Sequence, residues 1–178
     1  MTTLDQEPKA PPSIMNIAVK WGLISTGVTI LVFIVRVVLS QNPMENNWVG
    51  GLLGLAIGVT LLVLAQNEYK KTGDGFMGYG TGFKIGFLVS IVSIISYALF
   101  IFIYTSFVDA NLMDAVYQAQ REKMEAGGNM TDDQIETGIK FAKMLFWPIF
   151  LIGGLFINAI LILIITIFTQ KPNPNPAL

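Results

Sequence analysis

The chain contains no cysteine and no histidine. The first absence excludes a disulfide framework and any thiolate metal site. The second removes histidine-ligated haem, the zinc-dependent membrane proteases and histidine proton relays. Charge is also scarce. Asp, Glu, Lys and Arg make up 13% of the residues, against roughly 25% in an average soluble domain. The net charge of −1 offers no electrostatic basis for nucleic-acid binding.

Apolar residues take the place of the missing charge. They are 53% of the 178 residues, with a mean hydropathy of +0.61. They are gathered into four blocks, Ile17 to Leu39, Trp48 to Ala65, Ile85 to Val108 and Met144 to Gln170. Each reaches the length of about 18 residues at which a block becomes a candidate membrane helix. None carries the charged face that a helix of a soluble bundle needs. The blocks therefore predict an all-α membrane protein, with four transmembrane helices at about 17–39, 48–65, 84–108 and 144–169. The first thirteen residues, MTTLDQEPKAPPS, lack the basic start of a signal peptide, so the first block is read as a retained helix following a polar tail over 1–16. The closing KPNPNPAL, over 171–178, repeats Asn-Pro and is read as a disordered tail.

Four spans put both termini on one side. Six basic residues fall on that side and five on the other, so density rather than number decides the orientation. The second loop is short and carries Lys70 and Lys71 at a helix end. The third loop dilutes its basic residues among seven acids, and the first has no Lys or Arg. Both termini are expected to be cytoplasmic. The third loop, 109–143, is itself helical in pattern. Asp109 to Ala126 is rich in helix formers and stops at Gly127-Gly128. Thr131 with Gln134 three residues on forms a capping box that opens a second helix. An extracytoplasmic helical hairpin between the third and fourth spans follows.

The stretch GDGFMGYG, 73–80, matches both a dinucleotide fingerprint and the core of a potassium-channel filter. The first requires a βαβ unit and the second a pore helix ahead of the glycines. Membrane helices flank it on both sides, and charged Glu68-Tyr69-Lys70-Lys71 precedes it. It is read as a turn, with Gly82 and Gly86 admitting close packing at the start of the next helix.

Within the spans, small and polar residues mark where helices meet. Gly50, Gly54 and Gly58 recur every four residues on the second span, and Gly153-Gly154 sits in the fourth. These are expected to be helix-packing positions, within the bundle or against a second copy. Gly22, Ser25, Thr29 and Arg36 share one face of the first span. Gly86, Ser90, Ser93 and Tyr97 share one face of the third, and Asn158 is the carboxamide in the middle of the fourth. Two readings stand: interhelical hydrogen bonding, or a polar lining. Arg36 lies near a span end, where it either snorkels to the headgroups or pairs with Asp109. Pro148 is expected to kink the fourth span.

The segment YKKTGDGFMGYGTGFKIGFLVSIVSIISYALFIFIYTSFVDANLMDAV and the later MTDDQIETGIKFAKMLFWPI resemble a family of small four-span membrane proteins of Bacteroidota, domain of unknown function 4199. The resemblance implies a bacterial cytoplasmic (inner) membrane and this topology. It carries no activity and no functional residues. The residues themselves offer no nucleophile–base pair and no metal-ligand cluster inside the spans, so an enzyme is not expected, nor a cofactor. The lipid bilayer is the expected partner, together with further copies or the proteins of a membrane complex. The reading favoured by the sequence is a non-enzymatic structural or accessory subunit. The alternative is a small oligomeric transporter or channel lined by the polar stripes of spans one and three.

Overall fold

The computed structural model describes residues 11–39, 41–44 and 48–174, and every extended element in it is helical. The ends of both predicted tails and part of the first loop lie outside the described residues. Helix α1 spans Ile14–Val38, α2 Trp48–Thr72, α3 Tyr79–Phe107, α4 Leu112–Ala126, α5 Asp132–Pro148 and α6 Gly154–Thr169. A π-helical turn, Ile149–Gly153, joins α5 to α6, so that Asp132–Thr169 runs as one rod. Four helices are long and apolar enough to cross a membrane: α1, α2, α3 and this rod. Large side chains such as Leu31, Leu52, Ile95, Leu99, Ile152 and Phe156 face outward, as a lipid-facing surface requires. The chain is a helical multi-pass membrane protein.

The helix ends follow from local chemistry. Ser13 caps α1, its hydroxyl accepting from Asn16 N–H at 3.3 Å. Thr131 and Gln134 form the reciprocal capping box at the start of α5, with Thr131 N–H donating to Gln134 Oε1 at 2.9 Å. The glycine stretch is the α2–α3 turn. Gly75 takes φ +87°, a conformation that suits glycine, and Gly78 is the N-cap of α3. Met77 exchanges two backbone hydrogen bonds with Lys171, at 2.8 and 2.9 Å, tying this turn to the chain leaving α6. Pro148 has no N–H to donate along the helix, and the π turn begins at the next residue.

Two packed clusters hold the bundle, one near each end. At the end that carries both termini, Ile17, Ala18, Ala65, Met77, Ile85 and Val89 are buried together. At the other end, Phe33, Ile101 and Leu112 are buried beneath Met44, Tyr97, Phe100, Tyr104 and Trp147. The ring of Phe33 meets Phe100 and Tyr104 edge-on, at 5.2 and 4.9 Å between centroids, a favoured aromatic geometry. Helix α4 folds back on α5 beyond this cluster. Lys143 on α5 reaches Asp114 on α4 at 3.6 Å and lies over the ring of Tyr117 at 5.0 Å.

Close packing in the spans rests on glycines other than those of the α2 ladder. A Cβ at Gly22 would stand 2.6 Å from Val92 Cβ. One at Gly86 would stand 2.6 Å from Ile162 Cγ2 and 2.9 Å from Leu62 Cδ1. One at Gly82 would stand 2.7 Å from Thr166 Cγ2. Helices without a hydrophobic drive between them associate through such close approaches.

Candidate functional site: a cavity inside the membrane bundle

Helix α2 is anchored at one end only. Its buried residues are Leu62, Ala65 and Gln66, all in its second half. There Gln66 is wholly buried and joins three helices. Its Nε2 donates to the Gly82 carbonyl of α3 and to Thr166 Oγ1 of α6, both at 3.0 Å, and its Oε1 accepts from the Thr169 hydroxyl. Two residues further on, Lys20 Nζ and Trp21 Nε1 of α1 both donate to the Glu68 carboxylate at 2.8 Å. Lys70 Nζ donates to the Thr169 carbonyl at 2.8 Å. Among the described residues, the first half of α2 makes no such side-chain bond to α3 or α6. From Trp48 to Ala56 every residue but Gly50 is exposed.

Between that free half and the rest of the bundle lies a cavity of about 750 Å³, within the range of small-molecule sites. Its floor is the contact of Leu62, Gly86 and Ile162 described above. Its roof is formed by Pro43 and Met44 of the α1–α2 connection. There Arg36 Nη1 donates to the Pro43 carbonyl at 3.3 Å, and Met44 packs on the Phe33 cluster. The back wall is α3 and α6. The lips are α1 and α2, whose Thr29, Val32, Leu53 and Leu55 line the cavity and remain exposed.

Seven of the eight polar residues singled out in the sequence converge on this space: Ser25, Thr29, Arg36, Ser90, Ser93, Tyr97 and Asn158. Thr29 Oγ1 is spent on the Ser25 carbonyl and Asn158 Nδ2 on the Gly154 carbonyl, each at 2.9 Å within its own helix. The hydroxyls of Ser25, Ser90, Ser93 and Tyr97 have no hydrogen-bond partner among the described residues. No fully buried polar side-chain atom there lacks one, so these four hydroxyls open onto the cavity. A polar group at membrane depth without a partner costs free energy, and these hydroxyls are placed to donate to a molecule in the cavity.

The eighth residue, Asp109, goes elsewhere. Its carboxylate accepts from Asn111 N–H at 3.0 Å in the α3–α4 corner, the short-range turn that an aspartate makes two residues ahead of a free backbone donor. Of the two readings of Arg36, a pair with Asp109 or a position near the span end, the described contact is with the Pro43 carbonyl in the α1–α2 connection.

The two readings of the glycine ladder, packing within the bundle or against a second copy, part at Gly54 and Gly58. Gly54 and Gly58 line the cavity, and a Cβ at either would meet no atom within 4 Å. Gly50 lines the same space. Among the described residues, Gly54 and Gly58 therefore pack closely against no neighbouring helix, because the buried residues of α2 all follow them. In the fourth span, a Cβ at Gly154 would stand 3.4 Å from Ile94 Cδ1 of α3, whereas one at Gly153 would meet only Ile149 of its own rod, at 3.7 Å.

The family described as protein of unknown function (DUF4199) matches residues 20–171. The chain belongs to this family. The match runs from the first turns of α1 to the residue paired with Met77, and so includes every residue that lines the cavity. No curated protein and no solved structure matches the chain.

Sequence reasoning missed the anchoring node of Gln66, Thr166 and Thr169. The signal was present, since each is an uncharged polar residue close to the end of an apolar block. Placing the end of the second span at Ala65 put Gln66 in a loop and hid it. Among the described residues there is no group of three or more Asp, Glu, His or Cys placed to hold a metal ion.

Proposed function

We propose that the protein takes a small molecule into the cavity between α1, α2, α3 and α6 and passes it across or along the membrane, as a small transporter or channel. The observation that carries this reading is the convergence of polar groups from three helices on one space, with four hydroxyls left open to it. A bundle whose polar stripes served only to join its helices would pair those groups with one another. Under this reading the protein sits in a bacterial inner membrane with both termini cytoplasmic. The α4–α5 hairpin stands on the far side, where the roof of the cavity lies.

A second reading, an accessory subunit that packs with itself or with a larger complex, is favoured by the open face of Gly54 and Gly58. A helix of a partner would then fill the cavity.

The natural absence of cysteine provides the test. Single cysteines are placed at Ser93, facing the cavity, and at Ile95, facing outward two residues away on the same helix. The protein is reconstituted in lipid nanodiscs and treated with a small water-soluble thiosulfonate, which reacts with the thiolate and so requires water at the site. The transport reading predicts reaction at Ser93→Cys at least about tenfold faster than at Ile95→Cys. Equal silence at both positions overturns an aqueous path through the cavity, and the accessory reading takes its place unless the cavity holds a lipid-soluble molecule.

A further inference from the structure

Resting on the cavity reading above, we propose that the molecule taken up is a lipid-borne amphiphile, with a long apolar body and a head that accepts hydrogen bonds, and that it enters sideways from the bilayer between α1 and α2.

The route follows from which walls are closed. The floor is a three-helix contact too tight for a methyl group at Gly86. The roof is covered by Pro43, held by Arg36, and by Met44, held by the aromatic cluster. The side is open. Leu53 and Leu55 on α2 are 60% and 48% exposed, and Val32 on α1 is 44% exposed, although all three line the cavity. In a helix that spans the bilayer, such a side opening meets acyl chains, not water.

The ligand class follows from the lining. The α2 wall is apolar and free of side-chain bulk at Gly54 and Gly58. A straight apolar chain can lie along it in close contact, as one helix lies against a small-residue face of another. The opposite wall offers the hydroxyls of Ser90, Ser93 and Tyr97, each able to donate. An apolar wall facing a row of open donors fits a molecule that is apolar on one side and carries carbonyl or ether oxygens on the other. A hydrated ion or sugar would leave the α2 wall unpaired.

The test uses methyl stearate carrying a nitroxide on its chain as the probe, added to the full-length protein in nanodiscs and read by electron paramagnetic resonance. Expected is a motionally restricted component that saturates with protein, falls roughly tenfold in Gly54→Leu, and slows thiol modification of Ser93→Cys. Gly54 has no atom near its Cβ position, so this variant is expected to fold. Gly58→Leu repeats the test at a second position. If the probe shows no restricted component while Ser93→Cys still reacts and is not protected, the cavity serves an aqueous solute. The lipid class is then overturned and the cavity reading survives. If the probe is not restricted and Ser93→Cys is also silent, both fall.

Discussion

Replacing Gln66 with methionine should destabilise the bundle by about 2 kcal/mol, with a ceiling of roughly 5, from three interhelical hydrogen bonds that average about 0.6 and reach about 1.7 kcal/mol each in membrane bundles. The change is close to isosteric, so little of the cost is cavity formation. The lost bonds join α2 to the Gly82 carbonyl on α3 and to Thr166 and Thr169 on α6. Thr169 still donates to the Ile165 carbonyl at 3.1 Å and Thr166 stays wholly buried, so the cost centres on Gly82 and Thr166. The assay is reversible unfolding in mixed micelles titrated with a denaturing detergent. The comparison variant is Thr60→Val, on the free half of α2, where the hydroxyl bonds only the Ala56 carbonyl of its own helix. That change should stay within about 0.5 kcal/mol, as surface substitutions do. If Gln66→Met costs no more than Thr60→Val, the single-ended anchoring of α2 is wrong.

Gly86→Ala brings a methyl group to 2.6 Å from Ile162 and should cost about 1–3 kcal/mol by overpacking. Gly58→Ala meets no atom and should be neutral or stabilising by up to about 1 kcal/mol, and the same detergent titration separates the two. Thr131→Ala removes the cap of α5 and should cost about 1 kcal/mol. The loss should be seen as faster amide exchange confined to the first turns of α5. Glu68→Gln should cost less than about 1 kcal/mol, because Lys20 is half exposed to a screening medium. Its effect should shrink further with added salt.

The number of spans, the capping box at Thr131 and the turn through Gly75 were legible because each rests on local chemistry. Apolar length reports immersion in lipid, and capping and turn residues report backbone conformation. The limits of the helices were less legible, for the same reason. Hydropathy marks where the membrane stops, not where the helix stops. Helix α2 continues through Glu68, Lys70 and Lys71 to Thr72, and the last rod begins at Asp132, twelve residues ahead of Met144. The polar stripes were visible as helical periodicity, but periodicity cannot say whether a face meets a neighbouring helix or a space. That depended on where α2 is held, and the deciding group, Gln66, pairs with residues a hundred positions away. The glycine ladder shows the same limit. A small-residue face permits close approach, and among the described residues no helix approaches it at Gly54 or Gly58. Asp109 shows a local bond that hydropathy does not report, its carboxylate accepting from the Asn111 N–H two residues on.

The central claim is that the first half of α2 stands away from α3, and disulfide reach tests it directly in a chain with no native cysteine. A bridge needs Cβ atoms about 3.5–4.5 Å apart. A Cβ at Gly54 has no neighbour within 4 Å, whereas one at Gly22 lies 2.6 Å from Val92 Cβ, so that α1 and α3 need part by only about 1 Å there to come into bridging range. Under mild oxidation in nanodiscs, the pair Gly22→Cys with Val92→Cys should cross-link, and the pair Gly54→Cys with Ser93→Cys should not. Oxidation of the second pair at the rate of the first would place α2 against α3 along its length and remove the cavity.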